Sequence, residues 1–420
     1  MKINSNGVSP KGEVVVSGAK NSATRLMAAS LLTDEKVILS NFPTELVDAR
    51  EKAKFFLENG VQVNFKPEED VMEIVASDLE VKENFNTNVP VRTTYLLAAG
   101  QLLRHGKAYI PYPGGCKIGD RKYDLHIMVW ETLGCQVIER ASFIEIIKPK
   151  DGLIAQNINF PISTVGGTEN AILSCLVAKG ISVIKNAYVT PEVYDLILML
   201  RQMGAKIELE GKSYIKIEGG HELRGVNYAV MPDRIEAITW IVYAILSGGD
   251  VLIKNVPLDE MEIPLIHLKE CGVNLYLGKN SIFVSKDSVG EYGIQPFELA
   301  CGTHPGIISD MQPFYVLLAL MANGRSKVFD YRYPKRMAYL DELNKYCDGA
   351  ISYKEGEITI VGPVEFKNAN GVGLDLRGSM AIILAALLAK GESNVENPEM
   401  ALRGYNKLLE KLHLLGVEVN

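Results

Sequence analysis

The sequence predicts an α/β chain built as two similar domains, and three observations carry that expectation. A helix–glycine–strand phrase recurs along the 420 residues, and a phrase of small-residue apolar helices alternates with it. Successive copies stand about 70 residues apart, the size of one supersecondary unit. A chain this long also exceeds what one ordinary core encloses, so a division into two is expected.

The first phrase appears as "FFLENGVQV" from Phe55, "ETLGCQVI" from Glu131, "LRQMGAKIEL" from Leu200, "LKECGVNLYL" from Leu268 and "LHLLGVEV" from Leu412, with "LNKYCDGAISY" from Leu343 as a looser copy. Glycine just past the last helical turn accepts left-handed backbone at little cost, so each copy reads as helix, cap, strand. The second phrase begins near Lys20, Arg92, Gly167, Arg234, Asp310 and Arg377. Six units of two helices and short strands, grouped three and three, make two α/β domains. Apolar runs such as "AITWIVYAIL" from Ala237 and "AIILAALLA" from Ala381 fall short of the roughly 20 residues a membrane span needs, and read as helices buried on most sides.

Four of the second-phrase helices open on a cation: Lys20, Arg92, Arg234 and Arg377. A cation at a helix N-terminus opposes the macrodipole, so local stability does not account for it. Either the long side chains snorkel to solvent, or they strengthen anion sites that helix N-termini already favour. The formal net charge of −7 counts against nucleic-acid and membrane partners, yet allows a few clustered cations to hold a small anion. Met1 to Asn6 is polar, and the six cysteines stand singly with no CxxC spacing, so reduced thiols and a cytoplasmic location are expected. No His or Cys cluster has metal-ligand spacing.

One loop, "PGGCKIGDRKYD" from Pro113, sets Cys116 among Lys117, Arg121 and Lys122 after two glycines. The cations favour the thiolate and Asp120 opposes them; the plain alternative is a surface loop with an incidental cysteine.

Six segments occur in one order: "SGAKNSATRLMAASLL" from Ser17, "PGGCKIGDRKYDLH" from Pro113, "PDRIEAITW" from Pro232, "HPGIISDMQ" from His304, "LDLRGS" from Leu374 and "LRGY" from Leu402. Together they resemble the UDP-N-acetylglucosamine 1-carboxyvinyltransferase family, enolpyruvyl transferases of peptidoglycan synthesis, from end to end of the chain. The resemblance implies two inverse α/β barrels, each of three βαβαββ repeats, with an interdomain active-site cleft. One domain would span residues 21–229 and carry the cysteine loop at 113–121; the other would join 1–20 to 230–420.

The implied substrates are phosphoenolpyruvate and UDP-N-acetylglucosamine, with no cofactor and no metal. Cys116 would donate the proton to C3 of the enol and would be the target of fosfomycin, and Asp310 would serve the sugar hydroxyl unless it is simply a helix N-cap. Lys20, Asn21, Arg121, Arg336, Arg377 and Arg403 would hold phosphoenolpyruvate. The sugar nucleotide would meet Asn21, Arg92, Arg121, Lys122, Tyr123, Asp124, Leu125, Ile162, Ser163, Thr164, Val165, Gly166, Asp310 and Arg332. Ile162 to Gly166 match a nucleotide-wrapping loop, with a tight strand-to-helix turn as the alternative. Departures from the family pattern, in "VPVR" before Arg92, at Lys122 and Tyr123, before Arg403 and at Arg332, gather around the nucleotide rather than around Cys116, Lys20 or Asp310. The competing readings are a paralogue acting on another nucleotide or on shikimate phosphate, and a non-catalytic ligand-binding relative.

Overall fold

A computed structural model of the protein describes residues 1–5, 9–83, 92–112, 123–417 and 419, with the main chain alone at Arg92. The described residues form two compact units, one from Met1–Ser17 and Pro232 onward, the other from those between Gly18 and Met231.

Each unit is assembled from three separate sheets around apolar helices, and none of the sheets among the described residues closes into a barrel. The six central helices follow from composition. Arg234–Ser247, Gln312–Leu320 and Leu376–Leu388 are apolar almost all round, and nearly every residue in them is buried. In the other unit Val165–Val177 does the same, Lys20–Ala29 buries all but Lys20, Asn21 and Arg25, and Ala98–His105 is buried as far as Leu102. A helix without a polar face has to lie inside. The sheets cover these helices with one face only, which is why strands such as Val71–Val75, Tyr214–Gly219 and Glu357–Val361 alternate buried and partly exposed residues.

One pairing scheme recurs. Asn157–Thr164 runs parallel to Gly180–Ala187, which pairs antiparallel with Tyr214–Gly219, which pairs antiparallel with Lys206–Glu210. Glu298–Cys301, Arg325–Asp330, Glu357–Val361 and Ile351–Lys354 repeat it. The helices crossing these sheets end as the first phrase predicts: Gly60, Gly134, Gly204, Gly272, Gly349 and Gly416 all have positive φ.

A second punctuation mark was not read from the sequence. Asn41, Asn186, Asn255 and Asn397 also take positive φ, three of them one residue past a strand and Asn186 at the register shift near the end of Gly180–Ala187. Three of them donate Nδ2 to a carbonyl of the neighbouring parallel strand or its extension: Asn41 to Val230 at 2.8 Å, Asn186 to Phe160 at 2.9 Å and Asn255 to Val16 at 2.7 Å. Asparagine tolerates this conformation and ties two strand ends together.

The N-terminal strand Lys2–Ser5 pairs antiparallel with Gly391–Glu396, and the next, Lys11–Val15, pairs parallel with Asp250–Lys254, Val14 opposite Ile253, so both belong to the unit of the later residues. The chain leaves it at Ser17 and returns at Pro232. The two passages are stitched by Asp233 N–H to the Ser17 carbonyl at 2.9 Å and by Ala19 N–H to the Met231 carbonyl at 2.7 Å. Gly18 is required at this point: a Cβ there would stand 1.9 Å from the Asn41 carbonyl oxygen.

Candidate active site

In the unit that contains Pro232–Asn420, charge collects where the central helices begin. Asp233 caps Arg234–Ser247 by accepting from the N–H groups of Ile235 and Glu236 at 2.8 and 3.1 Å. Asp375 caps Leu376–Leu388 by accepting from Arg377 and Gly378, both at 3.1 Å. The arginines that follow these caps, Arg234 and Arg377, are 2% and 1% exposed. The solvent-snorkelling alternative is therefore overturned at both positions: both cations are buried, and Arg377 lies against a carboxylate.

Arg336 is the centre of the cluster. Its Nη1 donates to Asp310 Oδ1 and to the Ser309 carbonyl, each at 3.0 Å, and its Nη2 donates to Asp375 Oδ1 at 2.8 Å. Arg377 approaches the other Asp310 oxygen, Nε to Oδ2 at 3.7 Å, while its guanidinium carbon lies 5.2 Å from the centre of the Tyr405 ring. Burial lowers the Arg336 pKa, but Asp375 and Asp310 more than restore it, and the net direction is up. Arg377 rises similarly, Tyr405, Asp233 and Asp310 outweighing burial. Both guanidinia stay charged, and the Nε of each finds no hydrogen-bond acceptor among the described residues. Donor capacity beside a carboxylate that is 29% exposed suits an anionic, hydroxyl-bearing ligand.

Asp310 is not an N-cap. The helix starts at Gln312, Met311 occupies the cap position, and no side-chain cap bond forms there. Its alternative reading is thus corrected in favour of ion pairing. Buried Asp330 steadies the surrounding loops, with Oδ1 accepting from Ser309 Oγ at 2.9 Å and from the N–H groups of Arg332 and Tyr333 at 3.1 and 2.9 Å. Arg332 itself is exposed, and Arg403 is half-buried, one residue before the Gly404 carbonyl that accepts from Arg377 Nη1 at 3.5 Å.

Replacing Arg336 with methionine would leave Asp375 and Asp310 without their shared cation. Unfolding in urea should then report a loss of about 3–5 kcal/mol, the usual cost of breaking a buried pair from one side. A change below about 1 kcal/mol would mean that the pair is no better than a surface one.

The other unit carries the second set of candidates. Lys20 opens its helix without a side-chain cap, and its Nζ lies 3.0 Å from Asp48 Oδ2, a carboxylate 2% exposed. Asn21 follows it, half-buried, its carbonyl accepting from Arg25. Ile162 to Gly166 form no separate loop. Strand Asn157–Thr164 runs directly into helix Val165–Val177, where Thr164 Oγ1 accepts from Gly167 N–H at 3.3 Å. This is the strand-to-helix alternative, and the loop expectation is corrected accordingly. Ile162 is 64% exposed, while Ser163, Val165 and Gly166 are half-buried. Tyr123, Asp124 and Leu125 form the start of helix Asp124–Thr132, with the Tyr123 ring edge-on to Tyr112 at 5.7 Å. Cys116, Arg121, Lys122 and the Arg92 side chain lie outside the described residues.

The other five cysteines are free and buried. Burial pushes the thiols of Cys135, Cys175 and Cys271 up to about 12 and that of Cys347 up to about 11, so they remain protonated and unreactive.

Several partners escaped the sequence reading: Asp48, Asp233, Asp375, Ser309 and Asp330. A local signal existed for two of them. "PDR" and "LDLR" each place an aspartate one or two residues before the helix-opening arginine, the position of an N-cap. Asp48 and Asp330 carry no such mark.

Comparison with known proteins adds an independent line. The family model described as EPSP synthase (3-phosphoshikimate 1-carboxyvinyltransferase) matches residues 6–412. A UDP-N-acetylglucosamine 1-carboxyvinyltransferase of Novosphingobium aromaticivorans is 36% identical, covering 97% of this chain and 96% of that protein. The protein of the same name from Streptococcus pneumoniae is 33% identical over 100% of this chain and 98% of its own length. Among solved structures, the enolpyruvyl transferase NikO from Streptomyces tendae superposes with a TM-score of 0.89 at 22% identity, covering 100% and 98% of the two chains. An EPSP synthase from Acinetobacter baumannii gives 0.73 at 17% identity, with the same coverage, and these two likenesses concern the fold alone.

Proposed function

The chain belongs to the EPSP synthase family of enolpyruvyl transferases, and we propose that this transferase moves the enolpyruvyl group of phosphoenolpyruvate to the 3-hydroxyl of UDP-N-acetylglucosamine with release of phosphate. The observation that carries the reading is the grip of Arg336 and Arg377 on Asp310. It fixes a carboxylate where a sugar hydroxyl can donate to it, beside cations suited to a phosphorylated acid.

The chemistry is addition followed by elimination. A proton adds to C3 of the enol as the sugar oxygen attacks C2, giving a tetrahedral ketal. Loss of a C3 proton and departure of phosphate restore the double bond. Cys116 supplies the acid and Asp310 accepts from, or orients, the hydroxyl. Lys20, Arg121 and Arg403 hold the phosphate, with Arg377 and the remaining donor capacity of Arg336 completing the cation set. Asn21, Arg92, Tyr123 to Leu125, Ile162 to Gly166 and Arg332 serve the nucleotide. The two compact units act as the two domains of the family, and the singly spaced thiols support a cytoplasmic location for the enzyme.

Phosphate release from phosphoenolpyruvate should require UDP-N-acetylglucosamine, and shikimate 3-phosphate should not replace it. Turnover with shikimate 3-phosphate, or with a different nucleotide sugar alone, would redirect the acceptor assignment. No turnover with any acceptor would favour a binding relative.

A further inference from the structure

Inside the unit that runs from Gly18 to Met231, a buried ion pair has no place in the chemistry above. Arg25 Nε donates to Glu169 Oε1 at 2.5 Å, with Glu169 fully buried and the Arg25 side chain 12% exposed. Burial lowers the Arg25 pKa, Glu169 more than offsets this, and the guanidinium stays charged. Replacing such a pair by well-packed apolar side chains is often neutral or stabilising, so stability gives little reason to keep it. What an ion pair adds is directionality, because a guanidinium accepts few geometries.

The pair connects elements with a common purpose. Arg25 sits on the helix opened by Lys20 and Asn21, and also donates to the Asn21 carbonyl. Glu169 lies one turn into the helix that begins at Val165, directly after Ile162 to Thr164. Its second oxygen accepts from Tyr95 Oη at 3.4 Å. Tyr95 belongs to the short helix Arg92–Leu97 and stacks on His126 with ring centroids 3.7 Å apart. His126 follows Tyr123 to Leu125, and its carbonyl accepts from Asn170 Nδ2 at 3.5 Å. A Cβ on Gly166 would stand 2.6 Å from Tyr95 Oη and 3.3 Å from His126 Cε1, so the three segments are in close packing. Lys52, fully buried, adds a second strap by donating to the Thr24 carbonyl and, at 3.4 Å, to that of Thr93.

We propose that Arg25 and Glu169 are positioning residues for the sugar-nucleotide site, locking together the four segments that carry Asn21, Arg92, Tyr123 to Leu125 and Ile162 to Gly166. The inference rests on the transferase reading. Neither residue touches substrate. They set the spacing of the groups that do, so that binding does not have to order four segments at once.

Titration calorimetry of the full chain with UDP-N-acetylglucosamine tests this, alongside steady-state kinetics, for Glu169→Gln and Arg25→Lys. Both variants should raise the nucleotide Kd and KM about tenfold. The KM for phosphoenolpyruvate and kcat per folded molecule should change less than about twofold, a split that a merely structural role does not produce. Unchanged nucleotide affinity in folded variants, or a fall in kcat that tracks the folded fraction, would overturn the proposal. If Glu169→Gln does not fold, Arg25→Lys, which keeps the charge and loses the fork, decides alone. Failure of both to fold would make the pair structural and overturn it. A wild-type chain that does not bind this nucleotide would instead remove the transferase reading on which the proposal stands.

Discussion

Asp310→Asn is expected to lower kcat by about two to four orders of magnitude, the range over which a positioned acid or base contributes. Asparagine keeps the volume and one carbonyl oxygen, so the fold and the contact with Arg336 Nη1 should largely persist. What disappears is the negative charge opposite two buried guanidinia and the ability to take up a hydroxyl proton. Affinity for phosphoenolpyruvate should hold or rise, since Arg336 and Arg377 lose a competing anion. Steady-state phosphate release with thermal unfolding as a control separates the outcomes. If kcat fell less than about tenfold in a folded variant, Asp310 would be a structural counter-ion and nothing more.

Cys116→Ser is expected to abolish most turnover as well, by about a hundredfold or more, while both substrates still bind. Addition at C2 cannot proceed far until C3 receives a proton. A thiol with an ordinary pKa near 8.5 is a competent donor, whereas a serine hydroxyl is a far weaker acid. The residue stands outside the described part of the chain, but the other five cysteines are excluded on physical grounds, being buried and held as thiols. Calorimetry with UDP-N-acetylglucosamine should give the wild-type affinity. Wild-type turnover in Cys116→Ser would remove the sulfur from the mechanism.

Much of the architecture was legible in the sequence because its signals are local. A glycine past a helical turn announces its own positive φ, and six of these marked helix ends in order. A helix with no polar face announces its own burial, and four of these lie at the centres of the two units. The asparagines at 41, 255 and 397 carry a weaker signal, since a single Asn after a strand is common in any turn. In the site, the motifs pointed to Lys20, Asp310, Arg336 and Arg377, yet could not say whether a helix-opening arginine faced water or carboxylate.

By itself, then, the order of residues determined where helices begin and stop, which of them must be interior, and which positions carry charge at their starts. The folded chain alone decided how those charges pair. Arg336 meets Asp310 across 26 positions and Asp375 across 39, Arg25 meets Glu169 across 144, the first strand finds its neighbour near the far end of the chain, and Lys11–Val15 finds Asp250–Lys254. The physical reason is range. Backbone preference is settled among residues a few places apart, whereas an ion pair in a dry interior depends on packing that brings distant segments together, and nothing in either segment records its partner.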